Sequence, residues 1–220
     1  MHRVLIVEDH PVMREGYRSL LRGEPDLTVC GEAGSAEEAL SLIEETEVDI
    51  AVVDLSLPGA NGVEFLKQLR AIRPSTKVLV SSAHDEELYA ERALRAGAQG
   101  YLMKYGSAGR FIEAIRTVLA GDLYLSESLR ARFLRDRFGS GEGEGTRMAS
   151  LTDRELEVFE LFGRGKGTRE VAEAIHLSVK TIESHRANIK RKLGLASAVE
   201  FSQRAVLWVE SPLLSESEAE

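Results

Sequence analysis

The chain has 220 residues, 43% of them hydrophobic and 29% charged, with a formal charge of −8 at pH 7. That composition fits a globular protein with a real core, in one large domain or two small ones. It excludes a membrane span, since no apolar run approaches roughly 18 residues, and a secretory signal, since Glu8-Asp9 interrupts the first apolar run at once. Cys30 is the single cysteine, so an internal disulfide is excluded; it reads as a small core residue, and a reducing cytoplasm fits. The charge is uneven: residues 1–120 carry a net −6 and residues 151–195 a net +2. Overall acidity therefore argues only weakly against nucleic acid, because a local basic patch can still bind it.

Along the first 120 residues, apolar strand-like runs near 3–8, 28–33, 49–54, 77–82 and 99–103 alternate with helix-period segments near 11–22, 36–46, 62–73, 86–97 and 107–120. Ser35 is placed to cap the second helix, with Glu38 as its capping-box partner; Gly97 closes the fourth. Alternation of this kind predicts an α/β domain with a doubly wound, five-stranded parallel sheet. The near-continuous apolar runs fit strands covered on both faces. Residues 126–138 predict a short helix, and Gly139-Ser140-Gly141-Glu142-Gly143-Glu144-Gly145 reads as a flexible linker.

From Leu151 the pattern is all helical. Thr152-Asp153-Arg154-Glu155 is a capping box; Gly163, Gly165 and Gly167 are expected to break the helix that follows. Thr168 is expected to cap a short helix, His176-Leu177 to turn, and Ser178 to cap a basic helix that Gly194 stops. A last helix is expected over about 197–209, with a frayed acidic end. The domains expected are thus 1–121, a linker at 122–150, a four-helix domain at 151–211 and a tail at 212–220.

Four of the apolar runs end in polar groups. Val4–Val7 leads into Glu8-Asp9, Ile50–Val53 into Asp54, Val78–Val80 into Ser81-Ser82, and Gly100–Met103 into Lys104. A carboxylate at the end of a buried strand is costly unless something uses it. In a parallel sheet these groups gather at the carboxyl edge, where open α/β sheets bind ligands. Glu8, Asp9, Asp54 and the carbonyl of Ser56 offer oxygens to Mg²⁺, and Ser82 and Lys104 offer donors to a phosphoryl group. Each element alone is as readily a cap or a turn; their coincidence points to a site. Tyr101 is either a plain core aromatic or a ring that rotates inward when Ser82 moves. In the basic helix, Ile182, Ile189 and Leu193 mark the buried face. Lys180, Thr181, Glu183, Ser184, Arg186, Ala187, Lys190 and Arg191 are candidates for DNA contact, unless this is only a solvated charged face. None of the five histidines shows metal-ligand spacing with cysteine.

With these residues in place, the chain resembles a two-component response regulator of the NarL/FixJ subfamily. Val7-Glu8-Asp9-His10-Pro11, Asp54 with the loop through Gly62, Ser82, Tyr101 and Lys104 are similar to a flavodoxin-like receiver. Leu151–Glu155 and Ser178–His185, followed by Ile189, Lys192 and Leu193, are similar to a LuxR-type helix-turn-helix. Tyr105 and the segment 165–170 depart from the usual pattern. The resemblance implies Asp54 as phosphoacceptor, Mg²⁺ as cofactor, a sensor histidine kinase as partner, and no enzymatic activity beyond self-phosphorylation and dephosphorylation. It also implies a homodimer on phosphorylation that binds promoter half-sites in double-stranded DNA, with no membrane partner. Two rivals are a haloacid-dehalogenase-type enzyme, which needs a second Asp where Ser56 stands, and a phosphorylation-independent regulator with the same fold.

Overall fold

The computed structural model describes residues 1–58, 61–84, 86–104, 107–138, 148 and 150–216. Gly59, Ala60, Tyr105, most of the Gly-rich stretch and residues 217–220 lie outside them. The chain forms two compact units, Met1–Gly139 and Ser140–Glu220.

In the first unit, strands β1 (His2–Val7), β2 (Leu27–Ala33), β3 (Ile50–Val53), β4 (Lys77–Ser82) and β5 (Gly100–Met103) form one sheet in the order β2-β1-β3-β4-β5. All four pairings are parallel. Helices α1 (Pro11–Arg22), α2 (Ala36–Glu45), α3 (Gly62–Ile72), α4 (Glu86–Ala96) and α5 (Ala108–Ala120) connect and follow the strands, as the alternating pattern predicts. The central strand β3 is buried along its whole length: Ile50, Ala51, Val52 and Val53 are at most 1% exposed. On one face Val4, Ile6, Val52 and Leu79 pack with Tyr17, Phe111, Ile115 and Val118. Burial on both faces is what the continuous apolar runs require.

One capping expectation in this unit is corrected. Ser35 does cap α2, its Oγ accepting from the Glu38 amide at 3.2 Å. The Glu38 carboxylate, however, takes the amide of Gly34 at 2.7 Å rather than that of Ser35. After α5, the chain meets the free side of β5 in a parallel bridge between Gly100 and Tyr124. The Tyr101 amide donates to the Tyr124 carbonyl at 2.9 Å and the Tyr124 amide to that of Gln99 at 3.1 Å. Helix α6 (Glu127–Phe138) follows, with Leu125 and Leu129 buried. The Ser126 Oγ accepts from the Leu129 amide and donates to Glu86 at 2.5 Å.

The second unit contains α7 (Asp153–Gly163), α8 (Thr168–Ala174), α9 (Val179–Leu193) and α10 (Ala198–Glu216). Phe159, Ile182, Ile189, Phe201 and Ala205 form its buried centre. The capping box is present: Thr152 Oγ1 accepts from the Glu155 amide and the Glu155 carboxylate from that of Thr152. Helix α7 ends at Gly163, as expected. A Cβ there would meet the Ala205 carbonyl at 2.3 Å, so the glycine also serves close helix packing. Gly167, not Thr168, occupies the N-cap of α8, because the Glu170 carboxylate already takes its amide at 2.7 Å. The turn at His176 has φ 53, and Gly194 stops α9 in the left-handed conformation, as expected. Helix α10 runs through Pro212 instead of ending near 209; the proline removes one backbone donor without ending the helix.

Glu155 also pairs with Lys192 on α9 at 2.6 Å. Burial opposes its ionisation, yet Lys192 and hydrogen bonding from Thr152 outweigh burial and hold the carboxyl below its ordinary value. A depressed carboxyl stabilises the fold above its unfolded pKa and loses that contribution as pH falls through the folded value. Glu155→Gln is therefore expected to destabilise the second unit at neutral pH by about 1.5–3 kcal/mol. The deficit should shrink as the pH falls through and below the ordinary carboxylate range. Melting temperatures of both proteins across pH check this; a deficit constant with pH would contradict it.

Candidate functional site

The sheet order puts β1 and β3 side by side, with Val7 paired to Val53, so their next residues emerge together at the carboxyl edge. The Asp54 amide still donates to the Val7 carbonyl at 2.9 Å, and the Lys104 amide to that of Ser82 at 2.9 Å. The side chains that follow are thus held by the ladder itself. Glu8 and Asp54 are each 1% exposed. The Lys104 ammonium stands 2.7 Å from Asp54 Oδ2 and 2.8 Å from Glu8 Oε2, joining two carboxylates from different strands. Burial works against its charge, and Asp54 and Glu8 overcome that and raise its pKa. Burial pushes the Glu8 carboxyl up, and Lys104 offsets only part of the effect.

Asp9 lies beside them. Oxygens of Glu8, Asp9 and Asp54 and a ring nitrogen of His10 fall within 4.8 Å of one another. Glu8 Oε2 and Asp9 Oδ1 are buried and lack an aligned hydrogen-bond donor, although Lys104 and the His10 ring approach within 2.8 and 2.7 Å. Carboxylate oxygens from three residues converging within 4.8 Å suit a hard, oxygen-seeking divalent cation. The donor set therefore fits Mg²⁺. The Ser56 amide donates to Asp54 Oδ1 at 3.1 Å, which keeps the Ser56 backbone beside Asp54.

Ser82 and Tyr101 lie behind this cluster. The Ser82 Oγ accepts from the His84 amide at 3.1 Å rather than reaching Lys104. Tyr101 is 1% exposed, and its hydroxyl donates to the His84 carbonyl at 2.9 Å. It is thus both a core aromatic and a partner of the loop that carries Ser82. The His84 ring stacks on Tyr89 at 4.5 Å and meets the Ser56 hydroxyl at 3.0 Å, bridging the loops after β3 and β4. Sequence reasoning passed over His84 because its role comes from two loops 28 residues apart. Tyr17, bonded to Ser81 at 2.8 Å and stacked on Phe111, was likewise not singled out.

In the second unit, α8, the His176 turn and α9 make the expected helix-turn-helix. Arg154 braces the turn by donating to the Ile175 carbonyl. Lys180, Glu183, Ser184, Ala187 and Arg191 on α9 are exposed, and Thr181 and Lys190 are half-buried. Ser178 accepts from the Thr181 amide at 3.1 Å and caps the helix. Arg186 departs from this group: its guanidinium lies over the rings of Phe162 and Phe201, 5.2 and 5.0 Å from their centres.

Residues 4–116 match the response regulator receiver domain, and residues 149–205 match the bacterial regulatory proteins of the luxR family. The chain is a two-component response regulator with a LuxR-type DNA-binding domain. The oxygen regulatory protein NreC of Staphylococcus carnosus is 32% identical over 210 residues, covering 93% of this chain and 96% of that protein. The transcriptional regulatory protein UhpA of Salmonella typhimurium is 36% identical over 204 residues, covering 93% and 97%. Among solved structures, RcsB of Salmonella enterica serovar Typhimurium, bound to the promoter rprA with the phosphomimetic BeF₃⁻, gives a TM-score of 0.64. It covers 92% of this chain and 96% of that one at 24% identity, a likeness of fold.

The response regulator assignment leaves no place for a dehalogenase, and the position that enzyme would need acidic is Ser56. None of the described helices is long and apolar enough to cross a membrane.

Proposed function

We propose that Asp54 is the phosphoacceptor of this response regulator and that its modification controls DNA binding. The observation that carries the reading is the buried Asp54 carboxylate, held at 2.7 Å by Lys104 beside Glu8 and Asp9 at the carboxyl edge of the sheet. A carboxylate oxygen of Asp54 attacks phosphorus. The bond from phosphorus to the histidine nitrogen of a sensor kinase, or to the leaving group of a small phosphodonor, breaks, and an acyl phosphate results. Glu8, Asp9, Asp54 and the Ser56 carbonyl would hold Mg²⁺, which when bound neutralises phosphoryl charge. Lys104 stays within reach of a phosphoryl oxygen as a point charge. Ser82 leaves the His84 amide to meet another, and the Tyr101–His84 bond passes that movement to α4 and α5. The protein works in the cytoplasm and, once phosphorylated, pairs with a second copy on two promoter half-sites. Phosphodonor labelling with and without Mg²⁺, read by intact mass, tests the assignment: one phosphoryl adduct is expected only with the metal. A protein that takes no adduct under either condition would instead be a phosphorylation-independent regulator.

The same reading assigns α9 to the major groove. Lys180 and Thr181, at its start, meet phosphates; Glu183, Ser184, Ala187 and Lys190 face base edges, and Arg191 adds a phosphate contact. Glu183 is the informative residue, because phosphates repel a carboxylate unless it accepts a hydrogen bond, as from a cytosine amino group. Lys180→Ala is expected to weaken binding to all sequences and flatten the salt dependence by about one unit of slope. Glu183→Ala should relax preference at one base pair per half-site by about 1–3 kcal/mol. Binding selection on randomised half-sites at several salt concentrations distinguishes them; an unchanged motif for Glu183→Ala would make it a solvated surface residue.

A further inference from the structure

Arg186 sits where the spacing of α9 calls for an apolar residue. Ile182, Ile189 and Leu193 are buried on that helix, and 182, 186, 189 and 193 continue one stripe at four-, three- and four-residue intervals. The guanidinium fills its place in the stripe by covering two rings from two other helices, Phe162 of α7 and Phe201 of α10. Those rings are themselves fixed: Phe201 stands edge-on to Phe162 at 5.3 Å and to Phe159 at 5.4 Å. A planar cation over two aromatic faces has a preferred position set by the ring quadrupoles. The isoleucine and leucine contacts around it are non-directional and leave the helix freer to roll about its axis.

We propose that Arg186 is a positioning residue for DNA reading: held over Phe162 and Phe201, it sets the roll of α9 so that Lys180, Glu183 and Lys190 present together to the groove. This rests on α9 being the recognition helix. Arg186 touches no DNA in this account and carries no phosphate charge. It acts through the side chains whose angle it fixes, and a site of this kind tolerates only about 10–20° of misorientation.

A phosphate contact and a positioning role leave different signatures, because only the former releases counterions. The test uses the full chain, with binding selection and salt titration on wild type, Arg186→Gln, Arg186→Lys and Lys180→Ala, and melting curves for each. Arg186→Gln is expected to keep the wild-type salt slope and to lose about 10-fold in discrimination between the selected and mismatched half-sites. Arg186→Lys keeps a cation over the rings and should recover part of that discrimination. If Arg186→Gln flattens the slope by about one unit and leaves the selected motif intact, Arg186 is a phosphate contact and the proposal is overturned. If neither slope nor discrimination changes, it is overturned as well. Should Arg186→Gln melt below the assay temperature, Arg186→Lys decides the question: reduced discrimination at an unchanged slope supports positioning, and wild-type discrimination refutes it. Lys180→Ala separates the two levels of the argument. If it too leaves the slope unchanged, α9 is not the recognition helix; if it alone behaves as expected, only the role of Arg186 fails.

Discussion

Asp54→Asn is expected to abolish stable phosphorylation outright. The amide keeps the shape of the side chain and its place beside Lys104 and the Ser56 amide, but loses the anionic oxygen that attacks phosphorus. The Asp54 backbone bond to Val7 is untouched by the change, so the sheet should remain intact and a loss of labelling would not reflect unfolding. Asp9→Asn removes one carboxylate from the cation site and should raise the Mg²⁺ concentration needed for labelling while leaving the acceptor in place. Intact-mass spectra with phosphodonor, over a Mg²⁺ series, read both. A full phosphoryl adduct on Asp54→Asn would place the acceptor elsewhere.

Lys104→Ala should separate modification from response. Asp54 remains, so the variant should still take the phosphoryl group, but the charge-assisted contact that reads it is gone. Such a bond contributes about 1.5–3 kcal/mol, which shifts a two-state population roughly 10- to 150-fold. The resting protein should change as well. Lys104 is the cation shared by Glu8 and Asp54, and its removal leaves two buried carboxylates facing each other, with Glu8 driven further toward its protonated form. Phosphorylation should therefore cease to drive dimerisation and DNA binding in this variant. Sedimentation and DNA titration of the phosphorylated proteins measure the effect; a phosphorylated Lys104→Ala that behaves as wild type would exclude Lys104 as the reader.

What was legible in the sequence was what repeats or terminates a run. The strands showed themselves because each is apolar throughout, and the acidic group showed itself because Glu8, Asp9, Asp54 and Lys104 each follow a strand end. Side chains whose partners lie on distant loops were not legible. His84 meets Ser56 and Tyr101 only once the sheet has brought two loops and β5 together. For Arg186, a basic residue on a basic helix reads as a DNA contact, and its place over Phe162 and Phe201 is visible only once α7 and α10 have packed beside α9. Gly163 was legible as the end of its helix, but its close approach to Ala205 was not.

The pairing of Tyr124 with β5 bears on how the margin of the sheet is covered. A strand at the margin of a sheet is a template on which another chain can add, and natural folds shield such margins. Here the shield is the segment leading to the second unit: the Tyr101 amide is taken by Tyr124, and Leu125 and Leu129 are buried just beyond it. A fragment ending at residue 121 would keep every strand and every residue of the acidic group, yet bare that margin and lose both leucines. It should self-associate where a fragment ending at residue 138 does not.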